Sequence, residues 1–161
     1  MAISKEKILE DLKQKFSDNI LDMTAQFGDD IILIKREALL DITHFLKEDP
    51  YNFTMLLDLT CVDYMGEKER FEMVYHLFSL SYKLRMRFKT RLPENDLKID
   101  SLTHIFRNAN WLEREAYDMF GVHFTGHPYL RRLFMYEGFE GHPLRKDYPL
   151  RKQQPKIPLR K

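Results

Sequence analysis

The sequence predicts an α+β fold. The expected form is a two-layer domain with helix, two strands, helix and three strands in a mixed or mostly antiparallel sheet, followed by a helix and an extended C-terminal arm. Three observations carry this. Hydrophobic residues are 43% of the 161 and aromatics 13%, enough for one packed core in a single domain. Some windows repeat apolar residues at helical spacing and others alternate them in twos. The two kinds of window do not follow each other in strict strand–helix–strand order, which argues against a parallel α/β design.

The first element is a helix over 4–16. Ser4 stands where an N-cap belongs, and Ile8, Leu9, Leu12 and Phe16 fall on one face. Two apolar runs, Ile20–Phe27 and Ile31–Ile34, read as a hairpin turning at Gly28-Asp29-Asp30. Arg36–Lys47 reads as a second helix, with Pro50 beyond its end. Phe53–Val62 is a strand whose apolar face holds Met55, Leu57, Leu59 and Cys61, with Thr54, Leu56, Asp58 and Thr60 opposite. Cys61 is then a small packed hydrophobe rather than a reactive thiol. A polar turn, Asp63–Arg70, leads to strands Phe71–Leu80 and Tyr82–Arg91. In the last of these, Lys83, Arg85, Arg87, Lys89 and Arg91 alternate with apolar residues and so share a face. A solvated sheet face is the simpler account; a basic platform for nucleic acid or an acidic partner is the competing one.

Pro93–Asp100 reads as a linker. Leu102, Ile105, Ala109, Leu112, Ala116 and Met119 form a helical stripe, interrupted near Asn108-Ala109-Asn110 and ended by Gly121. Asn110 with Glu113 three residues later suggests a capping box. Arg114 and Asp118 are four apart and positioned to pair, and Glu115 lies close to Asp118. The segments expected are a 1–92 domain, a 93–150 helix and arm, and a 151–161 basic tail.

Composition excludes much. There is one cysteine, so no internal disulfide and no iron–sulfur cluster held by this chain alone. Six glycines form no phosphate-binding loop, and no apolar run spans a bilayer. The opening MAISKEKILE lacks the apolar core of a secretory signal. His123, His127 and His142 invite a metal-dependent enzyme, but Gly126 and Pro128 break the helix that would align the first two. The net charge of +1 conceals a split: residues 1–80 have nine Lys/Arg and sixteen Asp/Glu, and residues 81–161 have seventeen and nine. Such a split points to a partner surface.

Three joined segments carry a resemblance. Glu113-Arg114-Glu115-x-x-Asp118-Met119-Phe120-Gly121 comes first, then Phe124-x-Gly126-His127-Pro128-x-Leu130-Arg131-Arg132, then Gly141-His142-Pro143-Leu144-Arg145-Lys146-Asp147-Tyr148-Pro149. In that order they resemble the 30 kDa subunit family of proton-translocating NADH:quinone oxidoreductase, respiratory complex I. The resemblance implies a non-catalytic structural subunit of the peripheral arm (the quinone module). Its C-terminal extension would pack on the large subunit that helps form the quinone site. The resemblance also implies that FMN, iron–sulfur clusters and quinone are bound by other subunits, which pass electrons from NADH to quinone coupled to proton translocation. It further implies a peripheral place at the cytoplasmic face of the bacterial inner membrane, reached through partners. Related membrane-bound hydrogenases and dehydrogenases leave the electron donor open.

On that reading the partner-binding residues are Arg114, Glu115, Asp118, His127, Arg131, Arg132, His142, Arg145, Lys146 and Asp147. The arginines and acids would supply charge complementarity, and His127 and His142 would orient turns. Trp111, Phe120, Phe124, Phe134 and Phe139 would be apolar anchors. No catalytic, cofactor or metal residue is expected in the chain.

Overall fold

A computed structural model describes residues 4–155. It contains three α-helices, α1 (Lys5–Phe16), α2 (Leu39–Lys47) and α3 (Ala109–Phe120). Its strands are β1 (Ile20–Gln26), β2 (Asp29–Ile34), β3 (Met55–Asp63), β4 (Phe71–Ser79), β5 (Leu84–Leu92), β6 (Lys98–Asp100) and β7 (His123–Thr125). The first five form one sheet in the order β1-β2-β5-β4-β3. Only the β2–β5 junction in it is parallel, so the sheet is mixed and mostly antiparallel, as the pattern predicts.

Helix α1 starts where Ser4 Oγ accepts from the Lys7 N–H at 3.2 Å, and it buries Ile8, Leu12 and Phe16. The β1–β2 hairpin turns at Phe27 and Gly28, both left-handed with φ of 54° and 86°. Asp29 and Asp30 are not turn residues; they pair with Gln26 and Ala25 as the start of β2. A 3-10 turn over Arg36–Ala38 leads into α2, which buries Leu39, Ile42, Thr43 and Leu46.

Strand β3 departs from the expected alternation. A bulge between Leu56 and Asp58 inserts an extra residue opposite β4. Leu56 therefore points inward together with Leu59, Cys61 and Asp63, while Met55 and Leu57 are exposed. A strict period of two cannot anticipate that phase change.

The cationic row of β5 is real, and three of its cations are paired internally, while exposed Arg85 has no ion pair among the described residues. Arg87 pairs with Asp29 at 3.0 Å, Lys89 with Glu72 at 2.7 Å, and Arg91 with both Glu72 and Glu67. Lys83 lies outside the strand, in the turn that precedes it. Much of the charge split between the two halves is thus consumed by neighbouring elements, not offered to a partner.

Residues 93–100 are more than a linker. They contain a 3-10 turn over Glu94–Asp96 and β6, which pairs in parallel with β7 in a second, two-stranded sheet. Leu102 and Ile105 precede α3 in turns and are buried even so. One continuous core joins side chains of residues 8–92 to Ile99, Leu102, Ile105, Phe106, Ala109, Ala116 and Met119. Cys61 sits in that core, and burial pushes its thiol up to about 12.

The capping box does not form. Asn108 occupies the N-cap of α3, and its side chain donates instead to the Leu56 carbonyl at 2.7 Å. Glu113 is fully buried and turns back to accept from Ser101 Oγ at 2.7 Å and from the Leu102 N–H at 2.6 Å. It fixes the entry of the chain into α3.

Burial pushes the Glu113 carboxyl up to about 7, against the pull of its two donors. An acid raised on folding stabilises the fold while protonated, and that contribution is lost as pH rises from about 4.5 through 7. Glu113→Gln should therefore gain on the parent across that window, by on the order of 2–3 kcal/mol. Urea midpoints at pH 5.5 and 8 read this directly: a constant difference between the two proteins would contradict it.

Candidate functional site

Beyond Thr125 the described chain has no helix or strand, yet it lies against α3 and the sheet edge in an ordered course. Unpaired backbone groups forbid such packing unless other groups satisfy them. Three polar anchors do so.

The first anchor is Asp118, fully buried on α3. Its Oδ2 accepts the consecutive N–H groups of Leu133, Phe134 and Met135 at 3.0, 2.8 and 2.9 Å, and its Oδ1 accepts from Arg132 at 2.8 Å. Burial alone would raise this carboxyl. The three N–H groups and Arg132 outweigh that and hold it below the usual carboxylate range. Asp118 thus pairs with Arg132 of the arm, and not with Arg114 on its own helix.

The second anchor is Arg114. Its Nε and Nη2 donate to the carbonyls of Arg131 and Arg132 at 3.1 and 3.2 Å, while its guanidinium lies over the Trp111 ring at 5.1 Å. The third is Arg70, at the start of β4. Its fork takes both oxygens of Asp63 at 2.8 Å, Glu94 at 2.8 Å, and both oxygens of Asp147 at 2.9 and 3.1 Å. These contacts raise the Arg70 guanidinium further and hold Asp63 and Asp147 low. Asp63 also accepts the Lys146 N–H at 2.8 Å, and Arg145 pairs with Glu94.

The histidines serve the same course. His127 Nδ1 accepts from the Tyr129 N–H at 3.0 Å, so its Nε2 donates to the Asn110 carbonyl at 3.3 Å. His142 Nδ1 donates to the Asp118 carbonyl at 2.9 Å. The His142 ring lies so close to Gly121 that a Cβ there would come within 2.7 Å of its Nε2. Gly121 is therefore required twice, for this approach and for its φ of 84° at the end of α3. Burial lowers both imidazoles, which favours their neutral forms near pH 7. His123, His127 and His142 do not come together as ligands, and among the described residues no group of three or more His, Cys, Asp or Glu is placed to hold a metal.

The residues expected at a partner surface therefore divide. Asp118, Arg114, Arg132, His127, His142, Arg145 and Asp147 bind the arm to its own domain, and Lys146 does so through its backbone. Glu115 and the side chains of Arg131 and Lys146 face outward. Phe120 and Phe124 are core residues, and Phe139 is half-buried in a stack with Tyr148. Trp111 and Phe134 do face outward, each 60% exposed, joined by Tyr129, Leu144 and Leu150. Of the basic tail only 151–155 lie within the described residues; there Gln154 donates to the Glu140 carbonyl at 3.1 Å.

Sequence reading missed the Arg70–Asp63 hub. Its one trace is an acid and a base bracketing a polar turn, a pattern too common to single out. The exposed apolar residues were half-legible, through Trp111 and Phe134.

Known proteins share this chain's sequence pattern and fold. Residues 32–154 match the family described as respiratory-chain NADH dehydrogenase, 30 Kd subunit. The chain is 48% identical over 140 residues to an NADH-quinone oxidoreductase subunit from Citrifermentans bemidjiense, covering 86% of each. It is 46% identical to the like-named subunit from Geobacter sulfurreducens, again covering 86% of each. Among solved structures it resembles Nqo5 in a trypsin-resistant fragment, with a TM-score of 0.68, 30% identity, and coverage of 78% of this chain and 98% of that one. It also resembles a chain of the membrane-bound sulfane sulfur reductase, an archaeal respiratory membrane complex, with a TM-score of 0.77, 25% identity, and coverage of 90% and 85%.

Asp118→Ala leaves three consecutive N–H groups and Arg132 without their acceptor. We expect about 3–5 kcal/mol of lost stability, as for other broken buried pairs, and a detached arm. Trypsin should then cut after Arg131 and Arg132 on the order of a hundredfold faster than in the parent. Equal digestion rates would mean that this carboxylate does not hold the arm.

Proposed function

The chain belongs to the 30 kDa subunit family of respiratory-chain NADH dehydrogenase, and from that premise we propose that it works by shape, presenting its anchored arm to a neighbouring subunit and carrying out no chemistry itself. It is a structural subunit of the peripheral arm of NADH:quinone oxidoreductase, complex I, and its partners are other subunits of that complex. The assembly passes electrons from NADH to quinone. In this reading FMN, the iron–sulfur clusters and quinone are held elsewhere in it. The neighbour that receives the arm is the large subunit that helps form the quinone site.

One observation carries the reading. Most ion-pairing side chains of the arm turn inward, and several large apolar side chains of α3 and the arm are left outward. Trp111, Tyr129, Phe134 and Leu144 are each more than half exposed, on a segment fixed by buried carboxylate and guanidinium anchors. An anchored course with exposed aromatic side chains suits docking, because aromatic side chains on pre-ordered backbone dominate interface energies at low entropic cost. The chemistry-bearing candidates argue the same way. Cys61 is buried with its thiol pushed up to about 12, and the ring nitrogens of His127 are committed to the backbone.

Membrane association would be indirect, through the partners, at the cytoplasmic face of the bacterial inner membrane. Among the described residues no helix is long and apolar enough to cross a membrane. A second reading keeps the structural role and changes the electron donor or acceptor. The likeness to a chain of the sulfane sulfur reductase complex favours it, but at 25% identity against 48% for the NADH-quinone oxidoreductase relative.

The double variant Trp111→Ala with Phe134→Ala removes exposed side chains and should leave the fold intact. Each truncation should weaken docking by about 1–3 kcal/mol. Native-gel analysis of membranes should then show loss of full-size complex together with NADH:quinone reductase activity. Full-size, fully active complex would sink the proposal.

A further inference from the structure

The buried charges of this chain follow a rule with one exception. Arg70 faces three carboxylates, Asp118 faces Arg132, Glu72 faces Lys89 and Arg91, and Asp30 faces Lys5. Glu113 has two hydrogen-bond donors, and burial pushes its carboxyl up to about 7. Arg114 is only 7% exposed, yet among the described residues it has no carboxylate within ion-pairing distance. Its Nε and Nη2 meet carbonyl oxygens, which satisfy hydrogen bonds without balancing the charge.

Arg114 lines a groove of about 570 Å³ between α3 and the arm. Arg131 and Arg132 line it too, over a floor of Leu133 and Met135. Arg132 is already matched by Asp118. Arg131 is not matched: its guanidinium stacks on the Tyr129 ring at 4.2 Å and stands exposed at the mouth. Glu137 also lines the groove, but forms no ion pair with either arginine. Two guanidinium groups, each mounted on an aromatic ring, thus line one groove with no ion-pair partner among the described residues.

We propose that this groove receives a side-chain carboxylate from an acidic segment of the neighbouring subunit, captured between Arg114 and Arg131. The inference rests on the subunit reading and specifies its chemistry. Planar forks fixed by stacking and by carbonyl bonds lose little freedom on binding, so they are suited to capture a carboxylate. Trp111 and Tyr129, both largely exposed, would exclude water around the pair once docked. The apolar lining from Leu133 and Met135 fits a protein side chain better than a run of phosphates, and Arg87, Lys89 and Arg91 of the other cationic row, on β5, are already paired.

The test uses the assembled complex. Arg131→Lys places an amine at the mouth, and a zero-length carbodiimide reagent applied to the purified complex should couple it to an Asp or Glu of a neighbouring subunit, identified by mass spectrometry. Arg131→Glu leaves the arm's anchors intact and should lower retention of the chain in the complex on the order of tenfold, the deficit growing at low ionic strength where repulsion is unscreened. Position 131 free to react with soluble amine reagents, uncoupled, with normal retention of Arg131→Glu, would overturn the inference. So would an effect of Arg131→Glu confined to binding of anionic lipid vesicles. If either result came with the expected loss of complex in the Trp111→Ala, Phe134→Ala variant, the subunit reading would stand without the carboxylate. Absence of the parent chain from the purified complex would instead remove the subunit reading itself.

Discussion

Every feature of the arm depends on one constraint: a segment without helix or strand can be packed only if its backbone N–H and C=O groups find partners. Helix α3 supplies both kinds. The Asp118 carboxylate accepts three successive amides, and the Arg114 guanidinium, one turn earlier, donates to two successive carbonyls. The arm is therefore read by α3 through its main chain, which leaves its large side chains available to point elsewhere. Ionised groups make this economical, because charge-assisted hydrogen bonds are shorter and stronger than neutral ones.

The same logic explains where the charge asymmetry goes. The acid-rich first half and the base-rich second half meet across strand boundaries and across the arm. Asp29 meets Arg87, and Glu72 meets Lys89 and Arg91. In the opposite sense, Arg36 and Arg70 of the first half meet Asp96, Glu94 and Asp147 of the second. A charge difference between halves is thus compatible with an internally balanced molecule. Arg114 is the one buried cation left without an acidic partner among the described residues, and Arg131 lines the same groove unpaired.

Periodicity made the helices and the five-stranded sheet legible, because half-buried elements must repeat at 3.6 or 2 residues. It failed where a local event shifts the phase, as at the β3 bulge, or where a three-residue strand is too short to show a period, as in β6 and β7. The arm was legible as a family signature and as a run of Gly, Pro and basic residues. Its direction of use was not. A sequence shows that Arg132, Arg145 and Asp147 are charged, but which carboxylate or amide lies opposite is a long-range fact: Arg70 and Asp147 are 77 residues apart. Glu113 illustrates the same limit, since its spacing from Asn110 fits a cap while its carboxyl serves Ser101 and Leu102.

The sheet order has a kinetic corollary. Strands β3, β4 and β5 follow one another and zip together through two short connections, each costing little loop entropy. The β1–β2 hairpin reaches the sheet only by laying β2 alongside β5, across everything from residue 35 to 83. That closure spans the longest stretch of chain of any pairing in the sheet, so it carries the largest loop-entropy cost among them.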